Sequence, residues 1–117
     1  MEFTIEFYEA DSGRCPVREF LNRLKKDDAN DFATVLSGIA RLRSRVYHRP
    51  PLSKPIGDEL FVLRHVGKLN TRILYFFMKG RRIILAHGIR KRSRTISGKD
   101  RKIALERMRD WLEREPK

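Results

Sequence analysis

Two arginines stand at a spacing that would bring them together in a β-hairpin. Arg64 lies near the end of one apolar run and Arg72 near the start of the next, so a turn about Lys68 would place them opposite each other on one face. Like charges directly opposed across a sheet are destabilising. A bound phosphate would reverse that penalty, because guanidinium groups form paired hydrogen bonds to its oxygens. Alternatively, one arginine pairs with Asp58 or Glu59, or points into solvent.

A histidine follows in the next apolar run. A two-residue turn at Lys79-Gly80 or Gly80-Arg81 would place His87 on the same face as Arg72, whereas a three-residue turn would place it on the other face. An imidazole titrates near neutral pH and can therefore move protons. The alternative interpretation is a structural histidine at a sheet edge whose ring nitrogens are satisfied internally.

A basic cluster, RKRSR at residues 90–94, follows that histidine directly. It lies in a segment, residues 41–102, that holds 18 lysines and arginines and only three acids, Asp58, Glu59 and Asp100. The formal net charge of the whole chain is +12, so the excess is regional. Such a region favours a surface that meets a polyanion such as RNA, although a solvated basic loop is the alternative.

Three aromatic side chains are candidates for stacking on unpaired bases: Tyr47, Tyr75 and Phe76. The last two belong to the run ILYFF, a pattern more typical of a protein core.

Other kinds of site are not indicated. His48 and His65 have no carboxylate or cysteine at metal-ligand spacing, and Cys15 is the only cysteine, so neither a metal site nor an intramolecular disulfide is expected. The basic region has too few acids for a two-metal nuclease. If the protein cleaves RNA, we expect the 2′-hydroxyl to attack the adjacent phosphate without metal or cofactor, assisted by positioned proton-transfer groups and cations.

The pattern of apolar residues predicts a single α+β domain over residues 1–117. We expect a strand at residues 2–9, a helix from about Pro16, a second from about Asp28 to Val46, and an irregular connection at 47–58. The remaining elements are three hairpin-linked strands, Leu60–Val66, Thr71–Met78 and Arg82–His87, and a helix from Ile103 to Trp111 with Ser97 as N-cap. The order β-α-α-β-β-β-α predicts two layers, an antiparallel sheet on a helical hairpin, with the other sheet face free for a partner. No signal peptide or membrane span is indicated, so a cytoplasmic protein is expected.

Several segments together resemble the HigB-like, phage-associated branch of the RelE/ParE toxin superfamily. These are PVREFLNRL, LSKPIGDELFVLR, TRILYFF, IILAHGIRKRSRTI and ALERMRDW. The resemblance implies a RelE-like fold and a toxin of a type II toxin–antitoxin pair. It further implies metal-independent cleavage of mRNA in the ribosomal A site. The implied partners are the ribosome, mRNA and a cognate antitoxin, commonly a helix-turn-helix protein through which operator DNA is bound.

The resemblance also implies roles for individual residues. Arg64, Arg72 and Lys91 match the family's substrate-phosphate or catalytic positions, and His87 joins them as a proton-transfer candidate. The further RNA-binding candidates are the cations around them: Lys54, Lys68, Arg90, Arg92 and Arg94.

The sequence departs from the branch at three points. Val62 stands where a glutamate is common, Ser97 where a proline often leads into the final helix, and no tyrosine follows Tyr75. The late tyrosine that some relatives use as proton donor thus has no counterpart here, which leaves His87 or a lysine for that role. Two other functions fit the charge distribution: a ParE-like toxin that inhibits gyrase, and a basic RNA-binding module without catalysis.

Overall fold

The computed structural model describes residues 2–66, 70–93 and 95–115, with the backbone alone at residues 65, 66 and 70. Its elements follow in the order β1 (Thr4–Phe7), α1 (Pro16–Asp27), α2 (Ala29–Arg41), a 3₁₀ turn (Arg45–Tyr47), β2 (Ser53–Gly57), β3 (Leu60–Val66), β4 (Asn70–Met78), β5 (Arg82–Lys91) and α3 (Gly98–Arg114). The predicted α+β class is confirmed, and the predicted elements occur in the predicted order, with one additional strand, β2. The second helix ends at Arg41 rather than near Val46, and α3 begins before Ile103 and ends beyond Trp111.

The sheet has five strands in the order β1-β5-β4-β3-β2. The neighbouring pairs from β2 to β5 are antiparallel, whereas β1 pairs with β5 in parallel, so the sheet is mixed rather than purely antiparallel. β2 lies within the segment predicted to be an irregular connection. Its Pro55 is compatible with this position, because an edge strand can tolerate a residue without a backbone N–H. Asp58 and Glu59, both with positive φ, form the tight turn into β3.

One face of the sheet is covered by α1 and α2, as predicted. Val17, Leu21 and Leu24 of α1 and Val35 and Ile39 of α2 pack in one hydrophobic cluster with the strand residues of that face. This apolar stripe recurs at helical spacing, and Asp28 caps α2 by accepting a hydrogen bond from the backbone N–H of Asp31 at 3.0 Å.

The other sheet face is not free, which corrects the expectation of an open surface there. α3 packs on it through Ala104 and Met108, with Trp111 and Leu112 at the margin. The cluster includes the strand residues Val62, Leu74 and Ile84, all almost fully buried. The central strands of this face are therefore covered by α3 rather than open to a partner. Within the described ranges, no helix is both long enough and apolar enough to cross a membrane.

Candidate phosphate-binding site

Arg64 and Arg72 are directly opposed on β3 and β4, as their spacing predicts. Directly opposed residues of an antiparallel pair project from the same face, and for these two it is the face that α3 covers. Arg64 is exposed, whereas Arg72 is only 7% exposed. The predicted turn residue, Lys68, lies outside the described residues.

The guanidinium of Arg72 is only partly satisfied by the protein. Its Nη2 donates to the backbone carbonyl of Ser93 at 2.9 Å, while its Nη1 is buried and has no hydrogen-bond partner among the described residues. Burial and, after it, the charge of Arg64 lower the pKa of Arg72. Asp58, one of the acids considered as a partner, instead pairs with Arg101 at 3.4 Å. Arg72 is therefore a buried cation whose Nη1 donor group is unsatisfied by the described residues.

His87 projects from the same face as Arg72, although the length of the turn before β5 would predict the opposite face. The turn between β4 and β5 has three residues, Met78 pairing with Arg82, and this would have sent His87 to the opposite face. A β-bulge intervenes: Tyr75 pairs with Leu85 but Leu74 pairs with His87, so Ala86 is an extra residue. The bulge restores His87 to the face that α3 covers.

Asp100, in the first turn of α3, connects the residues around it. Its Oδ1 lies 2.9 Å from Nε2 of His87, and its Oδ2 accepts hydrogen bonds from Lys91 Nζ and, at 2.8 Å, from Ser97 Oγ. Burial alone would raise the pKa of Asp100, but the hydrogen bonds from Lys91, His87 and Ser97 outweigh it and hold that pKa at about 2. Asp100 is therefore a carboxylate at physiological pH.

The sequence pattern predicted Ser97 as the N-cap of α3 but did not indicate that Asp100 belongs to the site. Ser97 does cap α3, since its hydroxyl accepts from the backbone N–H of Asp100 at 3.1 Å. The sequence did contain a relevant signal, because Asp100 is the single acid among the many cations of residues 90–102 and can form ion pairs with them. We call Arg72, His87, Lys91 and Asp100 the Asp100 cluster.

Both ring nitrogens of His87 have partners within the protein. Nε2 faces Asp100, and Nδ1 lies 3.3 Å from Nη1 of Arg107, which also donates to the carbonyl of Ala86 at 2.8 Å. Burial is the largest influence that lowers the pKa of His87, and the charges of Arg107 and Lys91 lower it further. The geometry is that of a structurally satisfied histidine, and proton transfer by His87 stays a prediction.

The other predicted RNA-binding residues are dispersed. Arg90 faces α1 and α2, where it forms ion pairs with Asp28 at 3.1 Å and Asp31 at 3.4 Å. Arg92 and Lys54 are exposed, in the segment after β5 and on β2 respectively, whereas Arg94, like Lys68, lies outside the described residues. Their contacts with RNA stay predictions.

The three aromatic candidates for base stacking differ in their exposure. Tyr75 and Phe76 are buried core residues, at 0% and 1% exposure, so the core interpretation is confirmed for them. Tyr47 is 39% exposed and remains accessible to a ligand. Within the described part of the chain, no group of three or more histidine, cysteine or acidic residues is arranged to hold a metal ion.

Comparison with known proteins adds one match. A family model described as phage-derived protein, Gp49-like (DUF891), matches residues 19–109. The matched range includes every member of the Asp100 cluster as well as Arg64. A comparison with curated proteins gives no match.

Proposed function

The chain belongs to the Gp49-like family of phage-derived proteins, and from this membership and the Asp100 cluster we propose that it is the toxin of a type II toxin–antitoxin system. Its proposed activity is metal-independent cleavage of mRNA on the ribosome, in the cytoplasm. The resemblance of TRILYFF and IILAHGIRKRSRTI to HigB-like toxins supports the proposal, since these segments form β4, β5 and the approach to α3.

The observation that carries the proposal is the pairing of Arg64 with a buried, incompletely satisfied Arg72. An unpaired polar group in a protein interior is costly, and a second guanidinium opposite it adds repulsion. A phosphodiester would satisfy Nη1 of Arg72, and its single negative charge would offset part of the positive charge of the pair. Arginine is the residue best suited to this, because its planar donor array matches phosphate oxygens.

The proposed reaction is an internal phosphoryl transfer. The 2′-hydroxyl of the RNA loses its proton and attacks the adjacent phosphorus, the P–O5′ bond breaks, and a 2′,3′-cyclic phosphate remains. Arg64 and Arg72 stabilise the negative charge that develops on the phosphoryl oxygens. Positioned cations of this kind contribute most in a site shielded from water.

Two members of the cluster are assigned to the proton transfers. Lys91, which forms an ion pair with Asp100, donates a proton to the departing 5′-oxygen. His87 accepts the proton of the 2′-hydroxyl at Nδ1 once the long contact with Arg107 gives way, while Asp100 stabilises the imidazolium through Nε2. A lowered pKa keeps His87 neutral, and thus able to accept a proton, at neutral pH.

The proposed partners follow from the same resemblance to HigB-like toxins. The ribosome and mRNA are the targets, and a cognate antitoxin of helix-turn-helix type, carrying acidic or amphipathic segments, neutralises the basic region. Operator DNA is contacted through that antitoxin.

Induced expression of the chain in bacteria tests the function. We expect growth arrest with rapid loss of translation and mRNA ends that map within ribosome-bound codons. Arg72→Ala should relieve the arrest and reduce cleavage about a hundredfold or more, the order seen when a transition-state donor is removed. Arg109→Ala, which removes an exposed arginine of α3, is the matched control and should remain toxic.

Two results would contradict the assignment. Arrest of replication with intact mRNA would indicate a gyrase-directed toxin. Salt-dependent RNA binding without any cleavage on ribosomes would indicate a non-catalytic module.

A further inference from the structure

A cavity of about 370 Å³ lies between α2 and the sheet, on the side away from α3. Its floor is aliphatic, formed by Leu52, Leu63 and Ile73, and the α2 wall includes the small residues Ser37 and Gly38. Small-molecule sites typically occupy roughly 300–1,000 Å³ and combine apolar walls with a few polar groups. This cavity lies at the lower end of that range, as suits one small ring system rather than a large ligand.

The rim of the cavity carries the chemistry that unpaired bases favour. Arg41 lines it, and the Cζ atom of Arg41 lies 5.8 Å from the centre of the Tyr47 ring. Tyr47 is 39% exposed. Unstacked RNA bases are recognised by stacking on aromatic rings and on guanidinium planes, and by hydrogen bonds to their polar edges. Arg41 supplies a guanidinium plane in the cavity lining, and the Ser37 hydroxyl adds a polar group. Tyr47 is not itself a lining residue, but it supplies an exposed ring next to Arg41.

Arg64 joins this cavity to the proposed phosphate site. It contributes to the cavity lining and is also the residue opposed to Arg72. The ladder between β2 and β3 ends at the pair of Ser53 with Leu63, followed by a hydrogen bond from the Arg64 N–H to the Leu52 carbonyl at 2.9 Å. Arg64 therefore lies where β3 loses its outer neighbour, and a ligand can pass around the sheet edge there.

We propose that this cavity binds one unpaired base of the RNA substrate, next to the phosphate held by Arg64 and Arg72. The inference rests on the proposed function in taking RNA as the ligand, and it adds a base-binding subsite on the opposite sheet face. A nucleotide is favoured over an apolar peptide side chain because Arg41 and the Ser37 hydroxyl line the cavity together with its apolar floor, and the exposed Tyr47 ring lies next to Arg41. Those groups complement a flat, polar-edged ring that is attached to a phosphate.

Binding of nucleotides to the purified full-length chain tests this subsite without requiring cleavage. The probes are AMP, CMP, GMP and UMP, with ribose 5-phosphate as the ligand that lacks a base, measured by calorimetry or NMR titration. We expect at least one nucleotide to bind roughly tenfold more tightly than ribose 5-phosphate, in line with one base–aromatic stack. Equal affinity for all five ligands would overturn the proposal.

Matched variants test whether the base-dependent gain, meaning the tighter binding of a nucleotide than of ribose 5-phosphate, depends on the cavity. Tyr47→Ala should abolish it, Tyr47→Phe should keep it, and Ser37→Trp should reduce it by crowding the cavity. Val46→Ala, which removes an exposed apolar side chain beside Tyr47, should leave it unchanged. Arg72→Ala should weaken all five ligands, ribose 5-phosphate included. A base-dependent gain that survives both Tyr47→Ala and Ser37→Trp would contradict the proposal.

The outcomes separate this inference from the proposed function. Base-dependent binding that the cavity variants remove would support the subsite even if mRNA stayed intact in cells. Cleavage of mRNA without any base-dependent binding would retain the nuclease and reject the subsite. If Tyr47→Ala and Ser37→Trp impaired capture of a protein partner but left nucleotide binding unchanged, the cavity would be a protein-docking site and the proposal would be wrong.

Discussion

The imidazole of His87 lies 2.9 Å from the carboxylate of Asp100, which ties β5 to the first turn of α3. Burial and hydrogen bonding together set the protonation of the two groups. Asp100 remains charged down to a pH of about 2, while burial lowers the pKa of His87 below its ordinary value of 6.5. At neutral pH the pair is therefore a carboxylate and a neutral imidazole, a combination suited to accepting a proton.

Asp100→Asn should reduce stability in a pH-dependent manner. The pKa of Asp100 falls from 3.8 to about 2 on folding. A depressed carboxyl pKa gives stability that is present above the unfolded value and is lost as the pH falls towards the folded value. The contribution at neutral pH is about 2 kcal/mol. Urea unfolding between pH 2 and pH 7 should show a steeper decline below pH 4 for the wild type than for Asp100→Asn.

The control for that measurement is Asp27→Asn, which removes an exposed carboxyl group at the end of α1. It should retain the steep wild-type decline below pH 4. Parallel curves for the wild type and Asp100→Asn would show that Asp100 has an ordinary environment.

Arg107→Met should raise the pKa of His87. Arg107 adds positive charge beside Nδ1, which disfavours the imidazolium. An NMR titration should place the wild-type midpoint below 6.5 and that of Arg107→Met higher. Because the folded pKa is depressed, this group's stabilisation is complete above the unfolded value near 6.5 and declines as the pH falls towards the folded value. Arg109→Met, on the exposed side of α3, should leave the His87 midpoint unchanged; a shift of equal size there would argue for a general charge effect.

Gly88→Ala should destabilise the fold through contact with α1. A Cβ atom at residue 88 would lie 2.4 Å from Cδ2 and 2.5 Å from Cγ of the Phe20 ring, so the ring or the backbone must move. Overpacking of this kind costs about 1–3 kcal/mol. Chemical denaturation should detect the loss, and adding Phe20→Leu should recover part of it.

Gly98→Ala is the matched control for Gly88→Ala. A Cβ atom there meets nothing within 4 Å, so this change at the start of α3 should be neutral or slightly stabilising. Equal losses for the two variants would exclude the Phe20 contact as the cause.

Thr71→Val should weaken the attachment of α2 to the sheet. The Thr71 hydroxyl donates to Oδ2 of Asp31 at 2.7 Å, and both residues are buried. Valine keeps the shape but removes a donor from a buried carboxylate, at a cost of about 1–3 kcal/mol. Thr34→Val, at an exposed position on α2, should change the unfolding free energy much less, and the opposite ranking would contradict this assignment.

The hairpin spacing that opposes Arg64 to Arg72 was predictable because it depends on local chain geometry. So were the helices over α1 and α2, whose apolar residues repeat at helical intervals. β2 was missed because the prolines and Gly57 around it are typical of irregular chain, and only pairing with β3 makes that stretch a strand.

Contacts between residues far apart in sequence account for the remaining differences. The bulge at Ala86 is accompanied by a hydrogen bond from Arg107, which is 21 residues away, and no local pattern indicates it. Arg90 belongs to the basic cluster by sequence, yet alternation along β5 directs it towards Asp28 and Asp31, which approach only after α2 has packed. The three-residue turn alone would have misplaced His87, and the bulge compensates for it.

That bulge also has an evolutionary consequence. Because Ala86 has no partner of its own on β4, losing it would leave Leu85 opposite Tyr75 and His87 opposite Leu74. A one-residue deletion there would preserve the register of β5, whereas the same deletion elsewhere in the strand would reverse the facing of the residues that follow. We therefore expect natural length variation within β5 to occur immediately before the histidine, with Arg107 losing its carbonyl acceptor in the shorter relatives.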